Sequence, residues 1–116
     1  MENPLCKIRD IQRALEFFES EFEKAMGLTL KEGMLLCCIS EGEATSTELA
    51  SKVDMSCSNC SKVIGTVEKK GYIQRMLGAT DKRNMFFTLT DSGKLKLTEI
   101  KAKMPAIPDQ LLGRNE

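Results

Sequence analysis

Apolar residues recur along this 116-residue chain with the periodicity of helices for its first sixty positions and of strands only later. Ile8, Ile11, Leu15, Phe18 and Phe22 are spaced three, four, three and four residues apart. That is a helical stripe near the 3.5-residue period of a coiled-coil seam. Arg9, Arg13, Glu16, Glu19, Glu23 and Lys24 take the opposite face, and Phe17 lies partly off the stripe. Gly27 predicts the end of this helix. Thr29 caps a second one, in which Leu30, Met34, Leu35, Cys38 and Ile39 make the inward face and Gly42 is the stop.

Thr45-Ser46-Thr47-Glu48 has the spacing of a capping box and opens a short helix with Leu49, Ala50 and Val53 inside. Asp54-Met55-Ser56 reads as a tight turn. Ser56 is the predicted N-cap of the next helix, and Met55 and Cys60 stand where a hydrophobic staple would place them. That helix turns Cys60, Val63, Ile64 and Val67 inward, carries Lys69-Lys70 in its last turn and stops at Gly71. Residues 72–76 and 85–89 then read as two strands joined by a charged tip over 78–84. Thr90 caps a final helix holding Leu95, Leu97, Ile100 and Met104, which Pro105 ends. The predicted fold is mainly α with a small β-hairpin wing (α+β), a winged helix-turn-helix.

The long first helix carries more apolar surface than so small a domain covers easily, and packing against a second subunit is the economical explanation. The expected organisation is one domain over 1–116. Residues 1–27 and 91–112 would be dimerisation helices and 29–90 the winged-helix core.

Net charge is zero, yet its distribution is uneven. Residues 1–44 carry five basic and nine acidic side chains, whereas residues 56–96 carry eight basic and three acidic ones. Such segregation is an electrostatic footprint that the average hides. With no His in the chain, imidazole metal sites, Ser-His triads and His general bases are excluded. No enzyme activity, cofactor or metal is expected. No apolar run approaches the ~18 residues of a membrane span, and the first residues lack a signal peptide's apolar stretch. A cytoplasmic location is expected, with no membrane partner and with the five cysteines as thiols.

A helix that enters a major groove needs small, polar side chains at its N-terminal half, so that its backbone approaches base edges. Residues 56–62 read S-C-S-N-C-S-K. With Cys60 inward, Ser56, Cys57, Ser58, Asn59, Ser61 and Lys62 are candidate DNA contacts, joined by Thr47 on the preceding helix. Asn59 suits a bidentate pair with adenine, and Lys62 suits bases or phosphates. A merely well-capped helix start has the same Ser and Asn content, and the short helix and turn before it favour recognition. At the hairpin tip, Arg83 suits insertion into a narrow minor groove, with Asp81 orienting its guanidinium and Lys82 beside it. A solvated turn with Asp81 and Arg83 paired is the plain alternative.

These segments resemble the MarR family of bacterial winged-helix regulators over about residues 5–104. The carrying residues are Leu49-Ala50, Met55-Ser56 through Ser61-Lys62, and Val67-Glu68-Lys69-Lys70-Gly71-Tyr72-Ile73. The most specific are Asp81-Lys82-Arg83 followed by Leu89-Thr90-Asp91-Ser92-Gly93-Lys94. The resemblance implies a homodimer on a pseudo-palindromic double-stranded DNA operator, acting as a repressor, with a small-molecule effector or an oxidant relieving repression. The chain departs from the family in its short C-terminal helical region and in having Cys57 where a basic side chain is common. Cys6, at the start of the first helix, is similar in place to the cysteine of the family's peroxide sensors, which makes it a candidate redox sensor. The tyrosines that serve that branch are missing, Tyr72 being the chain's one Tyr. Cys57 and Cys60 form a C-x-x-C without the fold of a redox enzyme, and Cys37 and Cys38 read as core or near-core thiols. A rival to DNA binding stays open, because Lys52 is the one cation between Thr45 and Ser61: a winged helix that binds a protein partner.

Overall fold

The computed structural model describes residues 3–78 and 85–113. They run α1 (Pro4–Met26), α2 (Leu30–Ser40), α3 (Ser46–Lys52), α4 (Cys57–Lys69), β1 (Ile73–Leu77), β2 (Met85–Leu89), α5 (Asp91–Lys103) and α6 (Asp109–Leu112). The chain divides into two compact units, residues 31–102 and residues 1–30 with 103–116.

In the first unit, α2 to α5 and the hairpin form a winged helix around one core. Its buried side chains include Leu35, Leu36 and Ile39 of α2, Leu49 and Ala50 of α3, Cys60, Ile64 and Val67 of α4, Ile73, Phe87, and Leu97 and Ile100 of α5. The strands pair antiparallel, with Ile73 opposite Leu89 and Leu77 opposite Met85. Ala44 adds a single bridge on the far side of β2, where the Phe87 N–H donates to the Ala44 carbonyl at 3.1 Å. The strand stem expected at 72–76 begins one residue later.

Two helices present a different face from the one their sequence suggested. In α2, Met34 is exposed and Leu36 is fully buried, so the inward face runs through Glu32, Gly33, Leu35, Leu36 and Ile39. In α5, Leu95 is 73% exposed. Gly93, Leu97 and Ile100, four and three residues apart, form its buried seam, and Leu95 falls across the helix from Leu97. Both segments are apolar on more than one side, and the neighbours rather than the periodicity choose the face.

A junction between hairpin and α5 ties this unit together. Thr90 Oγ1 accepts the Gly93 N–H at 3.0 Å as the helix cap and donates to the Gly71 carbonyl at 2.6 Å. The Thr90 N–H donates to the Tyr72 carbonyl at 3.0 Å. Gly93 packs so closely on that same peptide that a Cβ would overlap the Tyr72 carbonyl oxygen. Its glycine is a matter of approach.

In the second unit, Asn3 caps α1, accepting the Leu5 N–H at 3.0 Å, and Pro4 occupies the first turn. Gly27, at φ +71°, terminates it and donates to the Glu23 carbonyl. Phe18, Phe22 and Met26 are buried, the two rings 6.1 Å apart. The N-terminal part of the predicted stripe is not: Ile8, Ile11 and Leu15 are between 40% and 52% exposed, and Leu5 before them is exposed as well. The α6 turn packs on α1, and Asp10, Arg13, Ala14 and Phe17 line an open cleft of about 450 Å³ with Pro108 and Gln110. No helix among the described residues is long and apolar enough to cross a membrane.

Gly93→Ala should lower the unfolding free energy by about 2–3 kcal/mol, the cost of forcing a group into a filled space. Urea denaturation followed by circular dichroism measures it, and an unchanged midpoint would contradict the close approach.

Candidate nucleic-acid interface

The site is built on α3, a turn and α4. The capping box of α3 is complete: the Glu48 N–H donates to Thr45 Oγ1 at 3.2 Å, and the Thr45 N–H donates to Glu48 Oε1 at 2.9 Å. That backbone bond, seconded by the Thr45 side chain, holds the Glu48 carboxyl below the usual range. At the other end of α3 the Met55 N–H reaches the Ala50 carbonyl at 2.9 Å, and the Asp54 N–H reaches that of Ser51 at 3.3 Å. This is a Schellman closure. It puts Asp54 in the left-handed region at φ +56°, where a non-glycine residue is strained. Lys31 Nζ of α2 donates to the Val53 carbonyl at 3.2 Å and anchors the same corner.

Beyond the turn, Ser56 Oγ accepts the Asn59 N–H at 3.1 Å and starts α4. Cys60, Ile64 and Val67 are buried along its inner side. Burial pushes the Cys60 thiol up, with Cys57 and Cys38 adding to the shift, and burial likewise raises Cys38. The remaining side chains of the first two turns, Cys57, Ser58, Asn59, Ser61 and Lys62, are exposed, as are Ser56 at the cap and Thr47 on α3. All seven predicted contact residues that the structure describes therefore lie on the surface of one helix-turn-helix. Asp81, Lys82 and Arg83 lie outside the described residues.

Internal ion pairs take up part of the positive half of the charge pattern. Lys70 at the end of α4 meets Glu32 of α2 at 3.1 Å, and Glu32 is the buried charged residue of the core. Arg75 on β1 donates through Nε to both carboxylate oxygens of Glu68, at 3.2 and 3.0 Å, and its guanidinium lies 5.6 Å from the Phe87 ring centroid. Lys96 pairs with Glu99 at 2.7 Å. Lys62, Lys69 and Lys94 are exposed and form no ion pair among the described residues. Glu32 and Arg75 were not singled out from the sequence, because partners 38 and seven residues away leave no local signature.

Cys6 is exposed in the first turn of α1, and Tyr72 belongs to the other unit. Among the described residues no group of three or more acidic or thiol side chains is placed to hold a metal ion.

Comparison with known proteins follows the same lines. A family model described as the MarR family matches residues 28–85. The chain belongs to the MarR family. It is 34% identical over 89 residues to the HTH-type transcriptional regulator SarZ of Staphylococcus haemolyticus, a match that covers 76% of this chain and 58% of that protein. The chain thus spans about three fifths of the length of this MarR relative. Among solved structures, the transcriptional regulator BldR from Sulfolobus solfataricus shares the fold at a TM-score of 0.79 and 22% identity, over 97% of this chain and 81% of that one. An S. aureus MepR–DNA complex shares it at 0.65 and 19%, over 82% and 79%. The α2–α5 unit is therefore a MarR-type winged helix.

Asp54→Gly should stabilise this turn by about 0.5–1 kcal/mol, the relief of left-handed strain set against the entropy of glycine. A higher thermal midpoint is expected, and a lower one would mean that the Asp54 side chain holds the turn.

Proposed function

We propose that this chain is a sequence-specific, double-stranded DNA-binding transcriptional regulator, a homodimeric repressor of the cytoplasm whose hold on its operator a small ligand releases. The observation that carries the reading is the outward face of α4. Ser58, Asn59, Ser61 and Lys62 project from a helix start whose opposite side is anchored by a wholly buried Cys60. A helix so furnished can seat its backbone near base edges, with Asn59 for adenine and Lys62 for a base or phosphate. Thr47 and the cap at Ser56 stand beside it, and the wing residues Lys82 and Arg83, oriented by Asp81, would add minor-groove contact. The presence of the same fold in the MepR–DNA complex supports this assignment.

The dimer has its own support. Leu5, Ile8, Ile11 and Leu15 form an exposed apolar stripe on α1, and Ile107 and Leu112 add exposed apolar surface from the C-terminal segment of the same unit. Apolar surface of this continuity marks an interface, and a two-fold dimer would pair two α4 helices on a pseudo-palindromic operator. The cleft between α1 and α6, with Arg13 and Asp10 beside Phe17, is the place offered to an amphipathic effector. Its action is binding, without catalysis.

Two results test the reading. Duplexes enriched from a random library by the full chain should bind more weakly to Asn59→Ala by about 1–3 kcal/mol, with preference relaxed at one base pair per half-site. Enrichment of no duplex would overturn it. Ile8→Glu with Ile11→Glu should shift sedimentation from dimer to monomer while the helical circular dichroism persists, and an unchanged dimer would place the interface elsewhere.

A further inference from the structure

The two cysteines of α4 stand in unlike environments one helical turn apart. Cys57 is the first residue of the 13-residue helix and is exposed, whereas Cys60 has no accessible surface. A C-x-x-C whose first sulfur opens a helix in solvent, with the second buried behind it, is the arrangement in which an exposed thiol attacks and a protected one resolves. Cys57 sits among the side chains offered to DNA, between Ser56 and Ser58, so a covalent change there falls on the reading surface.

We infer that Cys57 and Cys60 are an oxidation site, converted by hydroperoxides to an intrahelical disulfide that removes the α4 helix from DNA. The inference rests on the DNA-binding reading above and names its regulation.

In the first step the Cys57 sulfur attacks one peroxide oxygen. The O–O bond breaks, an alcohol (or water, from hydrogen peroxide) leaves, and Cys57 becomes a sulfenic acid. The Cys60 sulfur then attacks Cys57 Sγ, the S–O bond breaks, and water departs carrying the Cys60 proton. The two thiols have given two electrons to the peroxide.

The structural consequence follows from dimensions. Side chains three apart on a helix have Cβ atoms about 5–6 Å apart, and a disulfide requires about 3.5–4.5 Å. Closing the bond must tighten the first turn of α4 and draw Cys60 from its packed position. Asn59, which lies inside the closed ring, moves with it. The Asn59 N–H bond to Ser56 Oγ, which fixes the helix start, belongs to the same turn.

The test uses the full chain and a duplex enriched by the reduced protein, with cumene hydroperoxide as oxidant. Peptide mapping by mass spectrometry should find a Cys57–Cys60 disulfide, and affinity should fall by about tenfold or more, the equivalent of one lost base contact. Dithiothreitol should restore it. Cys60→Ala should form no disulfide and leave the Cys57 sulfenic acid unresolved, so that excess peroxide carries it on to a sulfinic acid that dithiothreitol does not restore, and Cys57→Ser should show the same affinity with and without oxidant. Cys6→Ser should respond as the parent does. A disulfide from Cys60 to Cys38, or a Cys57→Ser protein that still loses affinity to peroxide, would overturn the assignment. A reduced protein that enriches no duplex sinks the DNA reading and the regulation together. A mapped disulfide with unchanged affinity sinks the switch alone.

Discussion

The structure depends on α4 burying one side and only one. Cys60, Ile64 and Val67 recur at four and three residues and are all closed to solvent. Their burial contributes several kcal/mol of apolar transfer and leaves no freedom for the helix to roll. What lies opposite them, small and polar, must therefore face out. The left-handed turn at Asp54 is the second half of this constraint, because it sets where α4 begins relative to α3 and is held by two backbone bonds and Lys31. Strain retained at a turn in this way is commonly the cost of a functional geometry.

The other contacts maintain that placement. Lys70 pins the far end of α4 to Glu32 on α2, and Arg75 ties β1 back to Glu68 on α4 while covering Phe87. Thr90 and Gly93 lock α5 against the start of the hairpin through Tyr72. The α4 helix and the hairpin stem are thus linked by an ion pair as well as through the shared core that buries Val67, Ile73 and Phe87. The cations used for this purpose are withdrawn from any field directed at a partner, so Lys62, Lys69 and Lys94 matter more than the overall charge of the segment implies.

Much of this was legible in the residues. The Thr45–Glu48 box, the Ser56 cap, the inward line of α4, the antiparallel hairpin, the Thr90 cap and the stop before Pro105 all follow from local rules of spacing and capping, and each is present. Local rules failed where a segment offered more than one apolar face, as at Met34 and Leu95, because only the packed neighbours decide between them. They also failed for Glu32 with Lys70 and for Gly93 with Tyr72, pairings that exist only once the chain has folded. The candidate surface was readable because its signal is local, a run of small polar residues broken by one buried cysteine. The exposed half of the α1 stripe carries the same lesson in reverse, since a periodicity predicts that a face will be covered without naming what covers it.

The most direct measurement is photo-crosslinking of the full chain to an enriched duplex carrying iodouracil at successive positions. The account predicts crosslinked peptides that contain residues 57–62, from thymine positions within each half-site. Crosslinks confined to α1 or to the C-terminal segment, with none in α4, would contradict it.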